Sequence, residues 1–351
     1  MAEFRVISNK NEWKEILKLN CFDDIYYQNE YAESLKIHGD GSPLLIYYEG
    51  KSVKLFYVVM KRDIFEDVNF RGYLKQEELY DFETPYGYGG PIVIGDFSKK
   101  EQEKFKEELK LYCIEHGVVS QFVRFYPLLN NWVYSGIFDE LKELKETVFI
   151  DTENEENIFK NMDSKNRNMV RKAIKNEITI VQDKGERLDD FIRIYEHTMQ
   201  MHDADEYYTF KRGYFEYLIE HMRDNVCFFY AIYKEQIISA SMFFYNKDIM
   251  HYHLSGTEPE FRHLAAANLL LYEAAVWAAQ NNISKLHLGG GMTKGDSLFG
   301  FKKQFNKYGQ VPFVIGKTVF MMDKYEELLD FREKNEQEFD RNNHFFIQYR
   351  K

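Results

Sequence analysis

The chain has 351 residues, of which 44% are hydrophobic and 17% aromatic. This composition supplies a packed core and excludes a globally disordered chain, and the length suits two domains of ordinary size. The net charge of −11 argues against a general nucleic-acid binder, because phosphate affinity comes mainly from Lys and Arg.

Cysteine usage and the N-terminus indicate a reducing compartment. Cys21, Cys113 and Cys227 are widely spaced and form no CxxC pair, so neither a zinc site nor a disulfide framework is indicated. The N-terminal residues carry no apolar signal-peptide region, and no run reaches the roughly 18 apolar residues of a membrane span. We therefore expect a cytoplasmic protein, with peripheral contact to a lipid-anchored substrate left open.

Taken in chain order, the N-terminal half alternates helix and strand patterns. The pattern predicts helices over residues 11–19 and 28–38, a hairpin over 44–61, a strand over 92–94, a helix over 99–116 and a strand over 118–125. Before the 92–94 strand lies TPYGYGGP, a loop of glycine, proline and aromatic residues that includes Tyr86 and Tyr88.

The C-terminal half repeats this order. The pattern predicts helices over 187–201 and 211–222, a hairpin over 226–245, a strand over 248–255, a long helix over 260–280, a strand over 283–288 and a closing helix over 323–343. Two helices, a hairpin, a strand, a long helix and a strand occur in each half. This indicates a duplicated α+β unit, with an N-terminal domain over residues 1–145 and a C-terminal domain over 146–351.

A basic helix stands out against the acidic chain. Residues 159–176 contain six basic residues and one acid. Arg167, Arg171 and Lys175 are spaced i, i+4, i+8 and form one stripe. The predicted buried face consists of Met169, Val170, Ala173 and Ile174. An arginine at the edge of that face can bind phosphate, although a solvated helix face explains the spacing equally simply.

The stretch LHLGGGMTKGDSLFGFKKQF, residues 286–305, is the strongest candidate for a ligand site. Gly289, Gly290 and Gly291 either let the backbone approach a ligand or permit a positive φ in a tight turn. Phe301, Lys302, Lys303 and Phe305 follow on a predicted helix start. A lysine beside an apolar wall can stabilise an oxyanion or hold a phosphate, and an ordinary amphipathic helix is the alternative.

Two further features carry weaker signals. The long helix over 260–280 is expected to be capped by Ser255 or Thr257, and its N-terminus could bind an anion. The histidines at 251, 253 and 287 could form a metal trio, but satisfied histidines in a sheet are the preferred interpretation. The sequence has no HExxH, GxSxG, Walker or dinucleotide-binding motif.

Three segments together resemble the Fem peptidyltransferases and their relatives: RNMVRKAIKN, HYHLSGTEPEFRHLAAANLLLYEAAVWA and LHLGGGMTKGDSLFGFKKQF. The resemblance implies two tandem GNAT-like domains, the acyl-CoA N-acyltransferase fold, with mixed, mostly antiparallel sheets. It implies amide-bond formation by transfer of an aminoacyl group from tRNA to an amine of a peptidoglycan precursor. Other members are assigned to acyl-CoA chemistry.

The resemblance also implies roles for individual residues. Phe301 and Lys302 match an FKxxF-type motif, in which the lysine stabilises the tetrahedral oxyanion or assists with the proton of the attacking amine. Arg167, Arg171 and Lys175 would then bind an RNA end or a precursor phosphate. The segment YDFETPYGYGGPIV resembles relatives that act in surface-polysaccharide assembly, which makes Tyr86 and Tyr88 candidate substrate contacts together with the three glycines.

The donor is left open between aminoacyl-tRNA and acyl-CoA, each as a co-substrate, and no resident cofactor or metal is expected. The sequence lacks the inserted coiled-coil arm of some Fem members. In the segment corresponding to a CoA pyrophosphate loop, Arg262 to Ala267, alanines replace glycines. An acyl-CoA-dependent N-acyltransferase of surface-polysaccharide biosynthesis and a non-catalytic binder of an anionic sugar nucleotide or lipid-linked glycan are the alternatives.

Overall fold

The computed structural model describes residues 3–343 and 345–351. The chain forms two compact units. Unit 1 comprises Met1–Leu144 and Phe313–Lys351, and unit 2 comprises Lys145–Pro312. Unit 1 is therefore discontinuous in sequence, with the whole of unit 2 inserted into it.

The elements up to the start of unit 2 alternate helix and strand much as their sequence pattern predicts. They are β1 (Glu3–Ile7), α1 (Lys10–Leu19), α2 (Asn29–His38), β2 (Ser42–Glu49), β3 (Val53–Asp63), β4 (Tyr80–Glu83), β5 (Ile92–Gly95), α3 (Lys99–Glu115), β6 (Val118–Arg124) and β7 (Glu140–Asp151). The Asn9 side chain caps α1 by accepting hydrogen bonds from two backbone N–H groups.

The remaining elements complete unit 2 and then return to unit 1. They are α4 (Glu155–Asn161), α5 (Ser164–Lys175), β8 (Thr179–Asp183), α6 (Leu188–Met201), α7 (Arg212–His221), β9 (Val226–Tyr233), β10 (Gln236–Tyr245), β11 (Ile249–Thr257), α8 (Ala266–Gln280), β12 (Lys285–Gly289), α9 (Ser297–Lys303), β13 (Gln310–Val319) and α10 (Met322–Asn335).

The strands of unit 1 pair in the order β1-β2-β3-β4-β6-β13, and β5 adds to β3. Among these pairs of the described residues, only β4–β6 is parallel. Residues 313–351 belong here by packing: β13 pairs with β6, and α10 contributes Tyr325, Leu328 and Leu329 to a core cluster with Ile64 and Phe70.

The strands of unit 2 pair in the order β7-β12-β11-β10-β9-β8. The β11–β12 pair is parallel and the others are antiparallel. The β11–β12 ladder ends where His251 lies opposite His287, although β11 continues to Thr257. Residues 252–257 of β11 therefore have no partner in β12, and we call this side of the segment the open edge of β11.

Helix α8 supplies much of the core of unit 2. Its residues Leu269, Leu270, Leu271, Ala274, Ala275 and Ala278 are buried against the sheet and the neighbouring helices. This helix is thus buried on several sides. Burial of so many aliphatic side chains stabilises the unit by roughly 1.5–3 kcal/mol for each fully buried leucine.

The predicted α+β class with mixed, mostly antiparallel sheets is confirmed, but the predicted start of the long helix is wrong. The helix predicted over 260–280 begins at Ala266, after a separate 3-10 turn over Pro259–Leu264. Ala265 between them has φ 61°, a left-handed conformation that ends the turn. Ser255 and Thr257 lie in β11 and do not cap the helix.

The domain limits differ from the prediction in one segment. The predicted boundary after residue 145 lies beside the division found at Leu144, whereas residues 313–351, which the prediction placed in the C-terminal domain, pack with unit 1. The predicted closing helix over 323–343 ends at Asn335. Within the described residues, no helix is long and apolar enough to cross a membrane.

Candidate active site

A short helix, α9, presents the two adjacent lysines. Asp296 caps it: one carboxylate oxygen accepts from the Phe299 N–H and the other from the Thr293 N–H, each at 2.8 Å. The ring of Phe301 packs edge-on against that of Phe305, with centroids 5.3 Å apart, and Phe305 is fully buried. These contacts orient α9 so that Lys302 points inward while Lys303 is exposed.

Lys302 is a buried lysine with a polar acceptor and an aromatic wall. Only 8% of the surface of Lys302 is exposed. Nζ donates a hydrogen bond to Gly290 O at 2.7 Å and lies 5.6 Å from the centroid of the Tyr252 ring. Burial, together with the nearby charge of Lys145, lowers the pKa of Lys302 to about 7, against a smaller opposing effect of Asp296. Both protonation states are therefore populated near neutral pH.

The three glycines lie where the fold leaves no room for a side chain or requires a positive φ. Gly289 has φ 71°, a conformation that favours glycine. A Cβ on Gly290 would lie 2.8 Å from Glu146 O, and one on Gly291 would overlap the Asp296 carboxylate. The positive φ offered by the sequence therefore occurs at Gly289. Gly290 and Gly291 approach the chain's own atoms, and the approach of this backbone to a ligand stays a prediction.

A second lysine, Lys145 on β7, holds the same loop. Its Nζ donates to Gly291 O and to Met292 O, the latter at 3.0 Å. Sequence alone does not distinguish Lys145, because ELKELKET contains two lysines in similar surroundings. Only the fold shows which of them reaches the loop.

The open edge of β11 adjoins this lysine through Tyr252. The Tyr252 hydroxyl donates to Ser255 Oγ at 2.5 Å, and both residues are partly exposed. Tyr252 was not predicted as a site residue, because nothing in HYHLSGT separates it from an ordinary aromatic residue of a strand. The edge and the buried lysine together provide backbone hydrogen-bonding groups next to a titratable amine, as an acyl-transfer reaction requires.

The basic helix α5 is joined to α9 at their ends. The Asp163 N–H donates to Gln304 O at 2.9 Å, and Asn166 Nδ2 donates to the same oxygen at 3.4 Å. Arg167 is half-buried and donates to Met162 O. Arg171 and Lys175 are exposed and lie about 6 and 12 Å further along the helix axis, at 1.5 Å per residue.

The predicted buried face of α5 is wrong at one position. Val170 and Ala173 are fully buried and Met169 partly so, but Ile174 is 55% exposed. Asn166 is fully buried instead, where its Oδ1 accepts a 2.7 Å hydrogen bond from Asn268 on α8. The helix therefore buries a narrower apolar stripe than its composition suggests, with an amide pair at the contact.

The histidines of the sheet have local partners. His287 Nε2 lies 2.9 Å from Thr147 Oγ1, and His253 Nε2 lies 2.7 Å from the Tyr214 hydroxyl. Burial, reinforced by His251, lowers the pKa of His253 to about 3, and burial with His251 and Lys302 lowers that of His287. Across residues 3–343 and 345–351, no group of three metal-binding side chains has a geometry that could hold a metal ion.

Tyr86 and Tyr88 lie in unit 1 within an aromatic loop. The Tyr88 ring stacks on Tyr126 at 5.9 Å and meets Tyr26 edge-on at 5.6 Å. The Tyr31 hydroxyl donates to Tyr86 O at 2.5 Å. Both loop tyrosines remain partly exposed, so the loop is packed through these contacts and still presents aromatic surface.

A surface cavity of about 440 Å³ lies elsewhere in unit 2. Its lining includes Gly185, Leu188, Arg212, Ile219 and Arg223. The arginines are paired within it, Arg212 with Asp189 and Glu216 and Arg223 with Glu186, at 2.6–2.7 Å. None of these residues contacts Lys302, and the paired charges give the cavity no evident chemistry.

Comparison with known proteins agrees with this geometry. Residues 160–303 match the family described as acetyltransferase (GNAT) domain, a range that lies within unit 2 and includes Lys302. No curated protein sequence is significantly similar to this chain.

Several solved structures share the fold across most of the chain. The crystal structure of FemX has 14% identity and a TM-score of 0.64, covering 93% of this chain and 99% of its own. The C-terminal domain of a putative lysylphosphatidylglycerol synthetase from Agrobacterium fabrum has 12% identity and a TM-score of 0.55, covering 92% and 97%. A tandem GNAT protein from the clavulanic acid biosynthesis pathway has 7% identity and a TM-score of 0.51, covering 90% and 98%.

Fold and domain match define an acyltransferase of the GNAT type. More particularly, the chain has the tandem GNAT architecture of the Fem-like proteins, as its sequence motifs predict.

Proposed function

We propose that this acyltransferase forms an amide bond on a cell-envelope precursor of the peptidoglycan type, by transfer of an acyl or aminoacyl group, with Lys302 at the reaction centre. The observation that carries the proposal is the environment of Lys302: a buried amine with a pKa of about 7, bonded to the glycine loop beside the open edge of β11. Phe301 keeps that amine in place through Phe305.

The chemistry needs a proton acceptor and a stabiliser of negative charge. An acceptor amine attacks the carbonyl carbon of the donor, its proton leaves, and the tetrahedral oxyanion then expels the donor's hydroxyl or thiol. In the neutral form, Lys302 takes the proton of the attacking amine. In the charged form, it stabilises the oxyanion. A pKa of about 7 makes either form available, and the pH profile separates the two roles.

Substrate binding is proposed for residues on both units. Arg167, Arg171 and Lys175 would bind a phosphate of the precursor or an RNA end, since a guanidinium group can bind phosphate with two hydrogen bonds. Gly289, Gly290 and Gly291 would contact substrate through the backbone, and Tyr86 and Tyr88 through their exposed faces. The similarity to FemX and to a lysylphosphatidylglycerol synthetase supports a tRNA-borne donor or a lipid-linked acceptor, and with the latter a peripheral contact with a membrane surface.

Acyl-CoA is the second candidate donor, favoured by the start of α8. The helix begins at Ala266 without a side-chain cap, after Ala265 in a left-handed conformation. Its first backbone N–H groups therefore face outward from the helix end, where a pyrophosphate can bind. The GNAT description of residues 160–303 supports the same donor class.

The test compares Lys302→Ala with Lys303→Ala, its exposed neighbour on the same helix. Purified protein is assayed with aminoacyl-tRNA and with acyl-CoA on an amine-bearing envelope precursor, and native mass spectrometry of the protein as isolated identifies any bound donor. We expect Lys302→Ala to lose roughly 10²–10³-fold in turnover, and Lys303→Ala to lose little. Unchanged turnover in a folded Lys302→Ala protein would remove Lys302 from the mechanism.

A further inference from the structure

Two lysines from different elements hold three successive carbonyl groups of the glycine loop. From α9, Lys302 donates to Gly290 O at 2.7 Å. From β7, Lys145 donates to Gly291 O and to Met292 O. The loop is thereby fixed to a strand on one side and to the short helix on the other.

A run of three glycines needs such fixing. Glycine has more backbone freedom than any other residue, so a free loop of this kind samples many conformations. Because peptide units are planar, only the φ and ψ of Gly291 separate the Gly290 carbonyl from the held Gly291 carbonyl. Holding the carbonyls of Gly291 and Met292 therefore leaves few rotations by which the Gly290 carbonyl can reorient. That carbonyl is the acceptor of Lys302, so any movement of the loop is transmitted to the amine.

The titratable side chains around Lys302 come from four elements. Lys145 on β7 lowers its pKa and the α9 cap Asp296 raises it. On β12, His287 is itself kept neutral by burial, His251 and Lys302, and on β11 the face of Tyr252 lies beneath the amine. Lys145 is thus both the loop's hydrogen-bond donor and the nearby cation that acts on Lys302.

We propose that Lys145 is a positioning residue of the reaction centre, which fixes the glycine loop from β7 and so holds Lys302 in place. This inference rests on the proposed function of Lys302. It also predicts that the protonation of Lys302 depends on the charge of Lys145. If Lys145 had a purely structural role, removing its charge would leave the protonation of Lys302 unchanged.

The first test follows the Lys302 amine by ¹⁵N NMR of the full chain with labelled lysine, without substrate, and assigns the signal with Lys302→Arg. We expect Lys145→Gln to raise its titration midpoint by about one pH unit, because a nearby positive charge is removed. Lys145→Arg should preserve the midpoint. The control Lys303→Gln removes an exposed charge from the same helix and should also leave it unchanged. An unshifted midpoint in Lys145→Gln overturns the electrostatic part of the proposal.

The second test measures hydrogen exchange in a peptide spanning residues 289–299. In Lys145→Gln we expect exchange to accelerate roughly tenfold, as for a locally opened loop, with no acceleration in Lys145→Arg or Lys303→Gln. Lys145→Met, which keeps the aliphatic stem, serves if the glutamine variant folds poorly. Unchanged exchange overturns the loop-fixing role. Neither measurement uses turnover, so an inactive wild-type protein would count against the proposed function alone.

Discussion

Lys302 and Lys303 are adjacent on one seven-residue helix, yet their side chains have different surroundings. Lys303 is exposed, whereas Lys302 is bonded to Gly290 O and faces Tyr252. The difference arises because successive helical residues point about 100° apart, and because Phe305 anchors the inner face of the helix. Position on the helix, and not residue type, therefore determines which of the two amines is buried.

Lys302 should make stability depend on pH in a defined direction. Its folded pKa of about 7 lies below its ordinary value of 10.5. Below pH 7 both folded and unfolded states are protonated, so the folded state carries the full cost of a buried charge. Between pH 7 and 10.5 the folded state loses its proton first, and the cost declines at about 1.4 kcal/mol per pH unit.

We therefore expect Lys302→Met to gain stability relative to wild type at pH 6 and to lose most of that gain by pH 10. The loss of the hydrogen bond to Gly290 O adds a cost that does not vary with pH. Urea unfolding at both pH values measures the difference. Lys303→Met is the control, and equal shifts for the two variants at all pH values would contradict the assigned burial.

At the residue scale the sequence indicates Lys302 but not its environment. The FKKQF motif and the glycine run lie within one stretch of chain, so the local pattern was sufficient to select Lys302 as a candidate. Lys145 and Tyr252 come from strands 157 and 50 positions earlier in the numbering. Their approach to Lys302 depends on strand order, which a single sequence does not display. Ile174 was misassigned because the buried amide pair Asn166–Asn268 narrows the apolar contact.

Among the elements, the start of α8 carries measurable strain. Ala265 has φ 61°, a conformation that costs an L-residue about 1 kcal/mol and glycine almost nothing. Ala265→Gly should therefore leave stability unchanged or raise it by up to about 0.5 kcal/mol, after the larger unfolded-state entropy of glycine is included. Thermal unfolding measures the change.

The matched control is Ala279→Gly within α8, at a partly buried helical position. There glycine should cost about 1 kcal/mol. If both substitutions destabilise equally, Ala265 is not in the left-handed conformation described.

The Asp296 cap gives a second prediction at this scale. Asp296→Ala removes the acceptor of the Phe299 and Thr293 N–H groups and should cost about 1 kcal/mol. Asp296→Asn keeps an acceptor oxygen and should cost less, while lowering the Lys302 midpoint because a nearby negative charge is lost. Urea unfolding and the lysine titration measure the two effects, and equal losses of stability in the two variants would contradict the cap.

Element prediction succeeded where local signals agree. The hairpins β2–β3 and β9–β10 have β-branched and aromatic residues around short turns and lie within two residues of their predicted limits. The helix predicted over 260–280 failed because nothing in PEFRHLAAANL marks the left-handed residue. Alanine favours helix on both sides of it, and only tertiary packing of α8 enforces the break.

For the molecule as a whole, a buried ion network ties the C-terminal segment into unit 1. Asp81 is fully buried and accepts from Arg62 Nε and Arg350 Nε, each at 2.7 Å, and from the Tyr349 hydroxyl at 3.1 Å. Burial alone would raise the pKa of Asp81, but Arg350 and Arg62 outweigh it and hold the pKa below its ordinary value.

Asp81→Ala should cost about 3 kcal/mol, because both guanidinium groups lose their fully buried partner. Each keeps one less buried carboxylate, Glu83 for Arg62 and Asp67 for Arg350. Glu327→Ala, which removes an exposed ion pair with Lys324, should cost under about 1 kcal/mol. Denaturant unfolding at pH 7 compares them. Similar small losses in both variants would show that the network is dispensable.

The duplication of an α+β unit was predictable because the order of elements repeats in the sequence. The return of residues 313–351 to unit 1 was not. The partner of β13 depends on which strand of the folded sheets has an unpaired edge. The alternation of residues within a strand indicates which side chains share a face, but it does not identify the neighbouring strand. Buried ion pairs such as Asp81–Arg350 are also separated too far in the chain to be recognised by spacing.

The discontinuity of unit 1 has a consequence for synthesis. On the ribosome, β6 and Asp81 emerge long before β13 and Arg350 complete them, because all of residues 145–312 must be translated first. At roughly 5–20 residues per second this takes on the order of ten seconds or more. Throughout that interval the nascent chain presents an unpaired strand edge, which is prone to pairing with other chains. Ribosome-bound chains ending before residue 313 should therefore be the species that trigger aggregation or recruit chaperones.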